Sequence, residues 1–151
     1  MKSQLVPFET VSNYKHDHLV ARLQRECSIS QDEAEQLFFD TKQFLYLCAK
    51  YPDGLAPTKA IDEGWHNFIL FTHDYKKFCL DFLGRFIHHE PIDPNTAKIG
   101  ETLAPKAVNL AHSLFGDNLS KNWCLEGASF GNCSPTPSCD ASRSPPDDLT
   151  R

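Results

Sequence analysis

The side chains best suited to chemistry lie between residues 62 and 91, where four of the seven histidines occur. Asp62 and His66 are four residues apart on a predicted helix, so they share one face and lie one turn apart. This spacing can place a carboxylate and an imidazole on one metal ion, and it can equally form a hydrogen bond within the helix. The helical period places them about 100° from the buried neighbours Ile61 and Trp65, which predicts that both side chains are half-buried.

The other three histidines of this stretch are not equivalent. His73 follows His66 by roughly 10 Å on a continuous helix, which is too far for both to bind one ion through bonds of about 2 Å. A helix that continues through Gly84 would place His89 on the core side and His88 toward water. The sequence therefore favours His89 over His88 as a ligand or a buried hydrogen-bonding residue, on the condition that Gly84 does not end the helix.

A hairpin of two helices that fold back at Thr72 would bring these groups together. A carboxylate and two imidazoles that converge are typical of iron sites with two histidines and one carboxylate, and of several zinc sites. The sequence thus predicts one divalent transition metal (iron, zinc or copper) with the open positions that catalysis needs. The predicted ligands are Asp62, His66, His89 and His88, and the predicted surrounding residues are Trp65, Tyr75, His73, Glu63 and Glu90.

A structural interpretation accounts for the same residues. Helices often carry half-buried pairs of Asp and His for capping and packing alone, and Trp65 is well suited to a core. In this alternative the chain is a non-catalytic interaction domain whose Asp and His residues lock two helices together. The sequence contains no Gly-rich phosphate loop, Ser nucleophile elbow or H-E-x-x-H motif, so it leaves open whether the protein is an enzyme.

The pattern of apolar residues predicts an all-α protein. Three- and four-residue steps recur along most of the chain and predict a single compact bundle of about five to six helices over residues 15–124. Residues 1–14 show no clear period and are interpreted as an N-terminal arm. Residues 126–151 hold four prolines, five serines and few large apolar side chains, so a disordered tail is expected over 125–151.

Capping residues predict where the helices begin and end. A capping box at Ser30 begins a helix that is apolar over most of its girth, as is typical of a central helix. Thr58 and Thr72 are suited to capping the next two helices. The last long helix, over about 94–115, is expected to kink at Pro105 or to divide into two. Further predictions are a first helix over about 15–27, a C-cap at Gly116 and a packed turn with Leu119 and Trp123.

The composition limits the partners that this protein can have. A formal net charge of −5 argues against general nucleic-acid binding, because that binding depends on Lys and Arg. No apolar run has the length of a signal peptide or a membrane span, so a small soluble protein in the cytoplasm is expected. The Pro-rich tail could recruit a protein partner. The metal, the substrate and the oligomeric state do not follow from the sequence.

The six cysteines divide into two groups. Cys27, Cys48 and Cys79 fall within helical patterns, where a reduced cysteine usually acts as a small buried hydrophobe. Cys133 and Cys139 form a C-x5-C pair that lacks the spacing of common zinc sites. Together with Cys124 they could bind a metal, form a disulfide or remain free, and the sequence leaves these alternatives open.

One stretch resembles a known family. The motif is Asp62-x-x-Trp65-His66-x-x-Ile69-Leu70, then Tyr75-x-x-Phe78-Cys79, Gly84 and the ending Phe86-Ile87-His88-His89-x-Pro91. It is similar to the N-terminal domain of the plant glycine-rich domain proteins and their small bacterial relatives, over about residues 30–123. The resemblance implies a helical domain in which Asp62, Trp65, His66 and a terminal histidine are signature positions. It implies little about activity, and this chain lacks a glycine-rich region.

Overall fold

The computed structural model describes residues 4–90 and 97–125, and this part of the chain contains six α-helices, one π-helical turn and one 3₁₀ turn joined by loops. This part contains no strand, so the all-α prediction is confirmed, and none of its helices combines the length and the apolar character that crossing a membrane requires. The predicted tail beyond Leu125 lies outside the described residues. The elements are α1 (Phe8–Ser12), α2 (Asp17–Cys27), α3 (Gln31–Lys50), α4 (Lys59–Ile69), α5 (Thr72–Phe78), the π-helical turn (Cys79–Leu83), α6 (Ala97–Phe115) and the 3₁₀ turn (Lys121–Trp123).

Helix α3 is the centre of the bundle, as its sequence predicts. All nine residues from Asp40 to Cys48 are buried, so water is excluded from every side of this part of the helix. Helices α1, α2, α4 and α6 and both short turns contact α3. A helix buried around its whole girth cannot move without repacking all of its neighbours, and α3 therefore fixes the position of α4, which carries two of the candidate site residues.

Most of the predicted helix ends are confirmed. Ser30 forms a capping box with Glu33, and the Thr58 hydroxyl accepts a hydrogen bond from the Ile61 amide. Gly116 ends α6 with a φ of +91°, a conformation that glycine adopts without steric strain.

One expectation about a helix end is wrong, and one of the two alternatives expected at Pro105 is excluded. Thr72 is exposed and is the first residue of α5, where Phe71 occupies the N-cap without a side-chain hydrogen bond. Helix α6 is continuous through Pro105 and does not divide into two helices. Pro105 lacks an amide hydrogen, so the helix loses one backbone hydrogen bond, and the other residues of this nineteen-residue helix keep it continuous. The kink itself stays a prediction.

The N-terminal segment packs against α3 through a buried cation that the sequence did not reveal. Residues of the predicted arm form α1, in which Val11 is fully buried. The Lys42 ammonium, on α3, donates hydrogen bonds to the carbonyls of Ser12 and Tyr14 and lies 4.6 Å from the centre of the Phe38 ring. Burial, with repulsion from Lys15 as a smaller cause, lowers the pKa of Lys42 to about 8.

Raising the pH from about 8 to 10.5 is expected to stabilise the natural protein relative to a Lys42→Met variant. In this range the unfolded chain keeps the Lys42 proton that the folded chain has released, so the free energy of unfolding increases with pH. A neutral amine still has two protons for its two carbonyl acceptors. The expected relative gain is on the order of 2 kcal/mol, measured by urea unfolding of both proteins at the two pH values.

The methionine variant serves as the control, because cysteines and tyrosines that titrate in the same range contribute equally to both proteins. A difference in unfolding free energy that stays constant across this pH range would show that Lys42 keeps its ordinary pKa in the folded state.

The 3₁₀ turn forms hydrogen bonds both to α3 and to the residue that caps α4, and so links the two helices. The buried Asp40 carboxylate on α3 accepts hydrogen bonds from Ser120, Asn122 and Gln36, and burial raises the pKa of Asp40. The Asn122 carbonyl accepts a hydrogen bond from the Thr58 hydroxyl at 2.6 Å. Trp123 is 2 % exposed, which confirms the predicted packed turn. These contacts position the N-terminus of α4, one turn before Asp62.

The cysteines that are free and those that form disulfides are not the groups that the sequence predicts. Cys48 and Cys79 are buried free thiols, as expected, whereas Cys27 and Cys124 are each disulfide-bonded. The expectation of a reduced Cys27 is therefore wrong, because a helical pattern indicates burial but not whether another sulfur comes within bonding reach.

Candidate metal centre

Helix α4 supplies the first two residues of the candidate site. Ile61, Trp65 and Phe68 face the core, and the helical period then places Asp62 and His66 at its margin. The Asp62 side chain is 34 % exposed, as the sequence predicts, whereas the His66 side chain is 54 % exposed and more open than expected. His66 Nδ1 lies 3.5 Å from Asp62 Oδ2.

The segment that carries His89 is not helical, contrary to the expectation. Helix α5 passes into the π-helical turn, and Gly84 ends it with a φ of +81° that favours glycine. Residues 86–90 then form no regular secondary structure. Ile87 is buried and His89 is partly buried, whereas His88 and Glu90 are exposed. This alternation is typical of extended backbone, in which successive side chains point to opposite sides.

His89 contacts both residues of the pair on α4. Its Nε2 lies 2.7 Å from Asp62 Oδ1, at hydrogen-bonding distance, although the two residues are 27 apart in sequence. The His89 and His66 rings stack with centroids 4.4 Å apart and an angle of 19° between their planes. The centroid of the His89 ring also lies 4.1 Å from that of the Trp65 indole. Asp62, His66 and His89 each offer one ligand atom, and these atoms all lie within 4.8 Å of one another.

The structure places His89 in the cluster and leaves His88 and His73 outside it. His89 joins the cluster, although the helix through Gly84 from which the sequence predicts its position does not form. His88 points away from the cluster and packs edge-on against Phe86. His73 is exposed at the second position of α5. Among the described residues, neither of these two histidines belongs to a group that could hold a metal ion.

Trp65 and Tyr75, both predicted near the site, form a buried link to the His89 segment. The Trp65 indole N–H donates a hydrogen bond to the Tyr75 hydroxyl at 2.9 Å, and that hydroxyl donates to the Ile87 carbonyl. Burial raises the pKa of Tyr75, so its phenol stays protonated and remains a donor. The sequence did not reveal Ile87 as the acceptor, although Gly84 and Pro91 bound this segment and its alternation places Ile87 and His89 on one side.

The remaining acidic candidates lie beside the cluster rather than in it. Glu63 is half-buried on α4, and its carbonyl accepts a hydrogen bond from the Asn67 side chain. Asn67 in turn accepts a hydrogen bond from Arg22 on α2, which holds α4 against that helix. Glu90 is exposed. The described cluster therefore has one carboxylate and two imidazoles.

A family model described as UCP032817-like matches residues 8–101, which is more than half of the 151 residues. The chain belongs to the UCP032817-like family. The matched region contains every member of the cluster together with Trp65 and Tyr75, and it ends before the 3₁₀ turn. No curated protein and no solved structure matches the chain significantly. The candidate site therefore lies within the region that defines the family, and the family assignment adds no activity.

The cluster has the donor set of a transition-metal site but is looser than a bound site. Metal bonds to imidazole nitrogen or carboxylate oxygen are about 2.0–2.2 Å long, so two ligand atoms of one ion are at most about 4.3 Å apart. The observed limit of 4.8 Å requires the ligands to close by several tenths of an ångström. His66 has the most exposed side chain of the three, so its rotation can supply this movement.

Proposed function

We propose that this protein binds one divalent transition-metal ion through Asp62, His66 and His89. The convergence of their three ligand atoms within 4.8 Å supports this proposal. Two imidazole nitrogens and one carboxylate oxygen suit iron, zinc or copper. Three protein ligands leave coordination positions open to water or a substrate, which is the arrangement of catalytic rather than structural metal sites.

A second candidate function follows from the contacts within the cluster itself. The hydrogen bond of 2.7 Å between Asp62 and His89, together with the stacked His66 ring, joins the extended segment to α4 without any ion. In this alternative the cluster is a structural lock, and the helical bundle is a non-catalytic interaction domain.

The His66→Ala variant distinguishes the two candidates. His66 is the most exposed of the three residues and lies 3.5 Å from the Asp62 carboxylate, so its removal should change the fold little. If the site binds metal, the purified natural protein, prepared without a metal-binding tag, takes up one equivalent of Zn²⁺ in a calorimetric titration. The variant then binds at least about 10-fold more weakly, while its helical circular dichroism is unchanged.

Two further histidine variants serve as controls for this titration. His18→Ala removes an exposed histidine of α2, and His88→Ala removes the neighbour of His89 that points away from the cluster. Both should keep the affinity of the natural protein. Absence of Zn²⁺, Fe²⁺ and Cu²⁺ binding in the natural protein would refute the metal site and leave the structural lock.

We also infer that the UCP032817-like family is related to the N-terminal domain of the plant glycine-rich domain proteins. The support is the motif around Asp62, Trp65 and His66, all of which lie within the matched residues 8–101. A structure of the plant domain with a carboxylate and two histidines in the same arrangement would support this relationship.

A further inference from the structure

The Tyr75 hydroxyl joins the two parts of the candidate metal centre. Tyr75 is 1 % exposed, and its ring packs edge-on against Phe68 and Phe86. The hydroxyl accepts a hydrogen bond from Trp65 on α4 and donates one to the Ile87 carbonyl, two residues before His89. It therefore connects the helix that carries Asp62 and His66 to the segment that carries His89.

The segment over residues 85–90 depends on such side-chain contacts. Within residues 4–90 and 97–125, no hydrogen bond between two backbone groups holds this segment to the rest of the bundle. Arg85 donates to the Cys48 carbonyl at its beginning, and the buried Ile87 side chain anchors its middle. The Cys79 thiol also hydrogen-bonds to the Ile87 backbone, and the hydrogen bond from Tyr75 fixes the Ile87 carbonyl, from which the backbone continues toward His89.

We propose that Tyr75 is a positioning residue of this site: it holds the Ile87 carbonyl so that the His89 imidazole stays against Trp65 and within reach of Asp62. The proposal rests on the metal-binding function proposed above. Affinity is highest when ligands are held near their bound geometry before the ion arrives. Loss of the hydroxyl should leave His89 in a wider range of positions and weaken metal binding.

The Tyr75→Phe variant tests this proposal because it removes one oxygen atom and keeps the packed ring. Zn²⁺ titration by calorimetry should show one equivalent bound with a Kd about 10–100-fold weaker than that of the natural protein, as is usual when a group that orients a ligand is lost. Amide hydrogen exchange of the metal-free variant should be faster over residues 86–90.

A matched control separates positioning from general destabilisation. The variant leaves the buried Trp65 N–H without its acceptor, and Gln43→Leu does the same to the Trp123 N–H, which donates no hydrogen bond to the His89 segment. Gln43→Leu should lower the Tm but keep the Kd for Zn²⁺ within about 3-fold and keep slow exchange over residues 86–90.

The outcomes distinguish this inference from the proposed function. If the natural protein binds no Zn²⁺, Fe²⁺ or Cu²⁺, the proposed function fails and this inference fails with it. If the natural protein binds Zn²⁺ and Tyr75→Phe binds it equally well, only the positioning role is overturned. A Gln43→Leu variant that loses as much affinity as Tyr75→Phe would also overturn it, because the effect would then follow stability alone.

Discussion

Replacing Asp62 with asparagine is expected to weaken Zn²⁺ binding by at least about 100-fold. Asp62 is the only carboxylate of the described cluster, and each of its oxygens faces one histidine. Asparagine has nearly the same shape but no negative charge, so the ion loses both a strong ligand and its charge compensation. Loss of an outer hydrogen-bond partner already weakens metal sites about 10–100-fold, and the loss of a ligand should have a larger effect.

The measurement is a competition titration with a zinc-binding dye, with Asp53→Asn as the matched control. Asp53 is exposed in the turn after α3, so its substitution changes the net charge equally without touching the cluster. Equal affinities of the two variants would mean that Asp62 is not a ligand. The free energy of unfolding of metal-free Asp62→Asn should change by less than about 1 kcal/mol, because the side chain is partly exposed.

Replacing Gly64 with alanine is expected to destabilise the bundle by about 2 kcal/mol. Gly64 lies on the side of α4 that faces α3, where a Cβ atom would lie closer than 3.0 Å to the Thr41 hydroxyl and 3.2 Å from Leu37 Cγ. Both neighbours are buried, so they cannot move into solvent. Overpacking of this kind costs about 1–3 kcal/mol, which exceeds the gain of up to about 1 kcal/mol from the higher helix propensity of alanine.

A double-mutant cycle with Thr41→Ala identifies the clash. Thr41→Ala alone should destabilise the protein, because it removes a buried methyl group and a hydroxyl that donates to the Leu37 carbonyl. The double variant should be less destabilised than the sum of the single variants by at least about 0.5 kcal/mol in urea unfolding, because the clashing atom is gone. If the two destabilisations were simply additive, the added methyl group would not be clashing with Thr41, and α4 would instead have shifted as a whole to make room for it.

The sequence predicted those parts of the site that depend on local geometry. The Asp62–His66 spacing, the Thr58 cap and the burial of Ile61 and Trp65 all follow from the helical period, and the structure agrees with them. Each of these features involves residues within about two turns of one helix. Short-range periodicity is therefore sufficient to place one half of the cluster.

The other half depended on contacts that no local pattern contains. A helical stripe predicts the position of His89, but the helix ends at Gly84 and an extended segment places this residue instead. The hydrogen bond from the Tyr75 hydroxyl to the Ile87 carbonyl joins residues whose relative position is set by the π-helical turn between them. The burial of Lys42 and the oxidation of Cys27 likewise depend on which distant residues the fold brings near.

The separation of Asp62 and His89 along the chain has a consequence for the stability of the protein in the cell. An ion held by both residues would act as a reversible cross-link that closes a loop of 27 residues. A ligand that binds only the folded chain stabilises it by about 2.7 kcal/mol when its free concentration is 100 times its Kd. Resistance to unfolding and proteolysis would then depend on the free concentration of the metal ion. A cell with little of that metal would degrade the protein faster and contain less of it than a cell with ample metal.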